Sequence, residues 1–228
     1  MDGTPNIAKI GSLIGDNTRA CILTTLMHGK ALTASELAAV ASVTAQTATS
    51  HLAKLEAGGL LKLRKQGRHK YFALASEEVA SMLESLMGFT AAAEPLHLQT
   101  GPRNAAMHYA RVCYNHLAGH KSTQLYDNLI ANRYLVEHDG EPALTDTGAN
   151  FMTDFGINVR ELQAAKSPLC RSCLDWSERR THLSGSLGRA LFSEFERRRW
   201  MKQVNNGRTV TINASGEKAF NKLFPESA

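Results

Sequence analysis

Along residues 7–88 apolar residues recur at helical spacing in short blocks, separated by small polar residues and glycines. Ile7, Ile10, Leu13 and Ile14 predict a short helix with one apolar face. Asp16 then caps a second helix that turns Ile22, Leu23 and Leu26 inward. Thr33 followed by Glu36 has the spacing of a capping box, so a third helix starts at Thr33 and ends near Ala41. A fourth opens with Thr44 as its N-cap. Its apolar positions Ala48, Leu52 and Leu55 turn Gln46, Thr47, Thr49, Ser50, Ala53 and Lys54 outward. At its N-terminal end that face is small, polar and uncharged, poor at stabilising a core and well suited to base edges in a major groove.

Gly58 and Gly59 stop this helix and the period changes to alternation. Leu60 to Lys65 and Arg68 to Leu74 predict a hairpin around Gln66 and Gly67. Lys62, Arg64, Lys65, Arg68 and Lys70 make that ribbon basic. A polar helix followed by a basic hairpin is the order of a winged helix-turn-helix, in which the helix reads bases and the wing holds phosphates. Ser76 to Met87 add an amphipathic helix through Val79, Leu83 and Leu86. Residues 1–90 therefore read as a DNA-binding and dimerisation domain, 91–102, with Pro95, Gly101 and Pro102, as a linker, and 103–228 as a sensor domain.

In the second domain Ala106, Ala110, Cys113 and Leu117 fall on one helical stripe, which predicts a helix with Cys113 in its core. His108, His116 and His120 then share a helix face, open to two readings: a metal pair or a solvated surface. Beyond them the order helix, strand, tight turn, strand, helix occurs twice. The first copy runs from Leu125 through the Asp139-Gly140 turn to Phe151, and the second from Leu187 through the Asn206-Gly207 turn to Phe220. The fold class that follows is mainly α with short β-hairpins (α+β): a winged helix-turn-helix, then two degenerate winged-helix-like units. Glu137, Asp139 and Glu141 at the first turn would repel phosphate. Arg197, Arg198, Arg199, Lys202 and Arg208 in the second copy form a charge run that is a solvated face or, alternatively, a contact to DNA backbone.

With 228 residues, 43% apolar and 21% charged, the chain has an ordinary globular composition. The net charge of +5 and pI near 9.1 favour a polyanionic partner. No apolar run has the length of a membrane span and the N-terminus has no signal-peptide pattern, so a cytoplasmic location without a membrane partner is expected. The four cysteines, at 21, 113, 170 and 173, are too few for a disulfide scaffold in a chain this long. Cys21, set among apolar neighbours, reads as a buried structural thiol.

The candidate chemistry outside the winged helix lies in residues 167–185, SPLCRSCLDWSERRTHLSG. Pro168 precedes a predicted helix on which Asp175, Glu178, Arg179 and His182 share a polar stripe. Cys170 and Cys173 stand near its start, where helix-end amides and Arg171 would favour thiolate. Four readings are open. Cys170 and Cys173 form a redox switch. Cys170, Cys173 and His182, with Asp175 or Glu178, bind zinc or another thiophilic metal ion. The stripe orients Trp176 in a cleft for an organic effector. Or the segment is structural and carries no cofactor.

Asp16-Asn-Thr-Arg19, Ser35-Glu-Leu-Ala38, Gln46-Thr-Ala-Thr-Ser-His-Leu52, Leu55-Glu-Ala-Gly-Gly-Leu60 and Gly67-Arg-His-Lys-Tyr71 resemble the ArsR family of bacterial repressors over residues 6–88. The resemblance implies a homodimer, joined through the first and last helices of the module, whose two recognition helices enter successive major grooves of a roughly palindromic operator. The family's familiar metal sites are not reproduced. Ala39, Val40 and Ala41 replace the expected cysteines, and Glu77 to Met87 hold no histidine. The function expected is a sequence-specific repressor that binds operator DNA through Gln46, Thr47, Thr49, Ser50, Lys54, Arg64, Lys65, Arg68 and Lys70, released by a signal received in the second domain. The alternatives are a non-specific architectural DNA binder and a thiol oxidoreductase using Cys170 and Cys173, the latter without a βαβ context.

Overall fold

The computed structural model describes residues 7–66, 69–93, 105–204 and 207–226. Two compact units divide between Leu83 and Glu84. Among the described residues no helix is long and apolar enough to cross a membrane.

The first unit contains α1 (Ile7–Ile14), α2 (Asn17–Leu26), β1 (Leu32–Thr33), α3 (Ala34–Val40), α4 (Ala45–Ala57), β2 (Leu61–Gln66) and β3 (His69–Leu74). α2, α3 and α4 each start where a side chain satisfies a free amide. Asp16 accepts from Arg19 N at 2.9 Å and Thr44 from Thr47 N at 3.1 Å. Thr33 and Glu36 close both halves of the capping box, with Thr33 N donating to Glu36 Oε2 at 2.7 Å. α4 ends at Gly58, and Gly59 takes the left-handed φ of +75° that turns the chain into β2. Ile22, Leu23, Leu26, Leu37, Ala48, Leu52 and Leu55 form the core, each larger side chain contributing about 1.5–3 kcal/mol by burial. Arg19 fastens α1 to this core by donating to the carbonyls of Leu13 and Ser12, both at 2.6 Å.

Three details depart from the expectation. β1, two residues long and too short to show a period, pairs with Phe72 and Tyr71, so the hairpin is part of a three-stranded sheet ordered β1-β3-β2. Gln66 pairs with His69, which moves the connection from Gln66-Gly67 to residues 67–68, outside the described residues. Cys21 is half-buried, its thiol 3.9 Å from the Val40 carbonyl, because α2 turns it away from Ile22 and Leu23.

α5 (Glu77–Ala93) spans the division and runs further than predicted, into the first residues of the expected linker; the remainder of that linker lies outside the described residues. The second unit continues with α6 (Ala105–Tyr109), β4 (Arg111–Cys113), β5 (His116–Ala118), α7 (His120–Ala131), β6 (Leu135–His138), β7 (Glu141–Leu144), α8 (Asp146–Asp154) and α9 (Val159–Ala164). After these come β8 (Arg171–Leu174), β9 (Thr181–Ser184), α10 (Gly185–Arg197), β10 (Met201–Gln203), β11 (Val210–Ile212) and α11 (Ala214–Leu223). The predicted repeat is present and is one hairpin longer than predicted. Hairpin, helix, hairpin, helix occurs as β4-β5-α7-β6-β7-α8 and again as β8-β9-α10-β10-β11-α11. Leu125, Leu129, Leu187, Leu191, Phe195, Phe220 and Phe224 pack in one shared core.

The added hairpins stand where helices were predicted, the first in place of all but the start of its helix. The stripe Ala106, Ala110, Cys113, Leu117 is helical only at Ala106, in α6; beyond it Tyr114 adopts a φ of +58° and the chain folds back to pair Cys113 with His116. His116 therefore leaves the face proposed for His108 and His120. The helix expected after Pro168 is the β8-β9 hairpin. Asp175 takes the amides of Ser177 and Glu178, both at 3.0 Å, in a side-chain turn that competes with helix, and Arg179 completes the reversal at a φ of +55°.

Candidate nucleic-acid interface and buried side-chain cluster

α4 is fixed by Ala48, Leu52 and Leu55, all without exposure, which leaves Gln46, Thr47, Thr49, Ser50 and Lys54 exposed on its outer face. The Thr49 hydroxyl donates to the Ala45 carbonyl at 2.8 Å and offers outward its methyl and lone pairs. Arg64 and Lys65 on β2 and Lys70 on β3 are exposed as well; Arg68 lies outside the described residues. Lys62 is tied to the Ala75 carbonyl at 3.1 Å. Lys65 stands directly across the ladder from Lys70, a like-charge pair that destabilises an isolated hairpin and favours a polyanion against it.

In the second unit the proposed polar stripe is dispersed. Asp175 is fully buried, with Oδ1 accepting from Arg111 Nη2 at 2.8 Å and Oδ2 from Gly119 N at 2.6 Å. Burial opposes its ionisation, but Arg111, His182 and the amides of Glu178 and Gly119 outweigh it and hold the carboxyl well below the usual range. Trp176 is half-buried under the Arg111 guanidinium, 4.8 Å from the ring centre. Glu178 faces His108 at 3.1 Å and His120 at 3.6 Å, so those two histidines do meet, through a carboxylate rather than along one helix. Arg179 is exposed.

Cys170 and Cys173 have different surroundings. Cys170 packs against the shared core, where burial pushes its thiol up to about 12, opposite to the activated thiolate expected at a helix start. Cys173 is buried beside Cys113; a hydrogen bond between the two thiols, with burial, pushes Cys113 well above its ordinary value.

The structure thus brings together Cys113, His116, Cys173 and His182. All four are buried and their ligand atoms lie within 4.8 Å of one another. Each hairpin supplies one cysteine directly across the ladder from one histidine, Cys113 from His116 and Cys173 from His182, which puts both side chains of a pair on the same face. The two Nε2 atoms are 3.1 Å apart. Of the predicted metal ligands Cys173 and His182 belong to this cluster and Cys170 does not. Cys113 and His116 escaped the sequence reading as ligands. The signal that locates His116 is the repeat itself: His116-Leu-Ala-Gly119 and His182-Leu-Ser-Gly185 stand at an offset of 66 residues.

The basic run in the second repeat is partly spent inside the protein. Arg197 and Arg198 donate to Glu194 at 2.6 and 2.7 Å, and Arg198 also to the Phe155 carbonyl. Arg208 donates to Glu84 at 3.0 Å.

A capped helix pair, a polar recognition helix and a basic antiparallel ribbon define the class: a winged helix-turn-helix DNA-binding protein. Residues 14–64 match the family described as a helix-turn-helix domain. The uncharacterized HTH-type transcriptional regulator YdfF of Bacillus subtilis is 38% identical over 218 residues, covering 96% of both chains. Among solved structures, reduced HlyU from Vibrio cholerae is 27% identical over 36% of this chain and 85% of its own, with a TM-score of 0.33. The homodimeric winged helix-turn-helix domain of Mb0332 from Mycobacterium bovis is 24% identical over 46% of this chain and 99% of its own, with a TM-score of 0.35. The chain belongs to the HTH-type transcriptional regulators.

Proposed function

We propose that the chain is a homodimeric transcriptional repressor that binds a roughly palindromic operator and is released by a signal received in residues 103–228. The observation that carries this reading is the exposed, uncharged face of Gln46, Thr47, Thr49 and Ser50 on α4, beside a ribbon with exposed Arg64, Lys65 and Lys70. The first group can discriminate base edges and the second can neutralise phosphates without reading sequence. Exposed apolar side chains support dimerisation: Ile7 on α1, and Leu86 and Phe89 on α5.

Footprinting on DNA upstream of its own gene tests the reading. A discrete protected palindrome, together with reduced transcription in a purified system, is expected. Uniform protection without a boundary would assign the architectural alternative, and a protected site that raises transcription would make the protein an activator.

A further inference from the structure

Four side chains able to bind a soft metal ion converge in the interior of the second unit, and an ordinary apolar core has no use for them. Cys113, His116, Cys173 and His182 are buried, and His182 Nδ1 has no hydrogen-bond partner among the described residues. The two imidazoles meet nitrogen to nitrogen at 3.1 Å, with ring centres 5.0 Å apart. That contact satisfies them only when one ring donates and the other accepts, a weak return for burying both. In tetrahedral zinc coordination the N···N edge is about 3.3 Å and the S···S edge about 3.8 Å. The histidine pair is already close to that spacing, and the widest separation in the cluster, 4.8 Å, needs to close by about 1 Å.

The surroundings favour the same occupant. His116 Nδ1 faces Asn115 Oδ1 at 3.3 Å, and with Nδ1 donating to that oxygen Nε2 is free to ligate. His182 Nδ1 faces Asp175 Oδ2 at 3.9 Å, the carboxylate that Arg111 and Gly119 hold in place. Glu84 and Asp175 are balanced by Arg111 and Arg208, so the buried ion pairs around the cluster carry no net charge. Two thiolates cancel the charge of a divalent ion, and a neutral centre avoids the cost of an isolated buried charge. Binding converts two thiols and one aquated Zn²⁺ into a bis-thiolate, bis-imidazole centre, with two protons and the water released.

We propose that Cys113, His116, Cys173 and His182 form a closed tetrahedral zinc centre that joins the two repeats of the second unit. Two sulfur and two nitrogen ligands select zinc over harder ions, and four protein ligands leave no open position, which marks a structural rather than a catalytic centre. Because each repeat supplies one cysteine and one histidine, the ion ties β4-β5 to β8-β9. The centre does not depend on the DNA-binding reading, and its test uses no DNA.

The full chain is purified without chelator, its zinc counted by mass spectrometry, and the metal-stripped protein titrated with Co²⁺. One zinc per chain is expected, with a cobalt spectrum that shows tetrahedral d–d bands and thiolate-to-metal charge transfer. Cys113→Ser, Cys173→Ser and His182→Asn should lose those bands, and Cys170→Ser should keep them. The wild-type titration decides even where a ligand variant fails to fold. A folded wild type that holds no zinc and gives no tetrahedral cobalt spectrum overturns the proposal. Loss of the bands in Cys170→Ser overturns this ligand set in favour of the Cys170–Cys173 pair.

Discussion

His116 and His182 occupy the same place in two repeats, and their Nε2 atoms meet at 3.1 Å although 66 residues separate them in the chain. Each is followed three residues later by the glycine that turns the hairpin into its helix, Gly119 at a φ of +86° and Gly185 at +81°. A Cβ at Gly119 would sit 2.5 Å from the His108 carbonyl oxygen, whereas one at Gly140, with a φ of +79°, would meet nothing within 4 Å. Gly119→Ala should therefore cost about 2–3 kcal/mol, and Gly140→Ala about 1 kcal/mol from backbone strain alone. Urea unfolding of both variants checks this, and equal losses would contradict the close approach.

Thr49→Ala combined with Ser50→Ala should weaken binding to the operator more than binding to random DNA, by about 1–3 kcal/mol of discrimination. Gln46→Ala should act in the same direction, since its amide is exposed at the first turn of α4. Anisotropy titrations on both DNAs read the ratio. Equal losses would remove these residues from base recognition.

Arg64→Ala and Lys65→Ala should weaken binding to both DNAs by similar factors. Each should also reduce the slope of log affinity against log salt by about 1. A loss confined to the operator would place the ribbon among the base readers instead.

Arg19 is 9% exposed and ends the α1–α2 connection with two 2.6 Å bonds to backbone carbonyls. Arg19→Ala should destabilise the first unit by about 2 kcal/mol, because it leaves the carbonyls of Ser12 and Leu13 unpaired. Arg19→Lys should recover less than half of that, since an ammonium cannot span both acceptors with the geometry of a guanidinium fork. Thermal unfolding of the two variants measures the difference.

Hydrogen bonds from Arg197 hold the Glu194 carboxyl below its ordinary value against the opposing effect of burial, and Arg198 adds to them. A carboxyl whose pKa is lower in the folded than in the unfolded chain stabilises the fold above the unfolded value. That contribution is lost as the pH falls through it toward the folded value. The urea midpoint should drop between about pH 6 and about pH 3.5, and the drop should be smaller in Glu194→Gln. An unchanged drop would show that other carboxyls account for it.

The first unit was legible because its signals are local. The caps Asp16, Thr33 and Thr44 act on amides three residues away, and the Gly58-Gly59 stop lies directly beside the helix it ends. The second unit misled at two places for a related reason. Cys113 and His182 both fit a helical period by position, but Tyr114 and the Asp175 turn reverse the chain before a helix can form. In a short hairpin the period is overridden by one left-handed residue or one side chain that captures backbone amides.

Local chemistry, written in neighbouring residues, determined the helix-turn-helix, its polar outer face, its basic ribbon and the presence of a repeat. The company kept by Cys113, His116, Cys173 and His182 was decided only in three dimensions. Two short hairpins, far apart in sequence, each set a cysteine across from a histidine, and the packing of one repeat on the other made the four side chains meet. No pattern within either segment encodes that contact, because it is a property of the interface between the repeats.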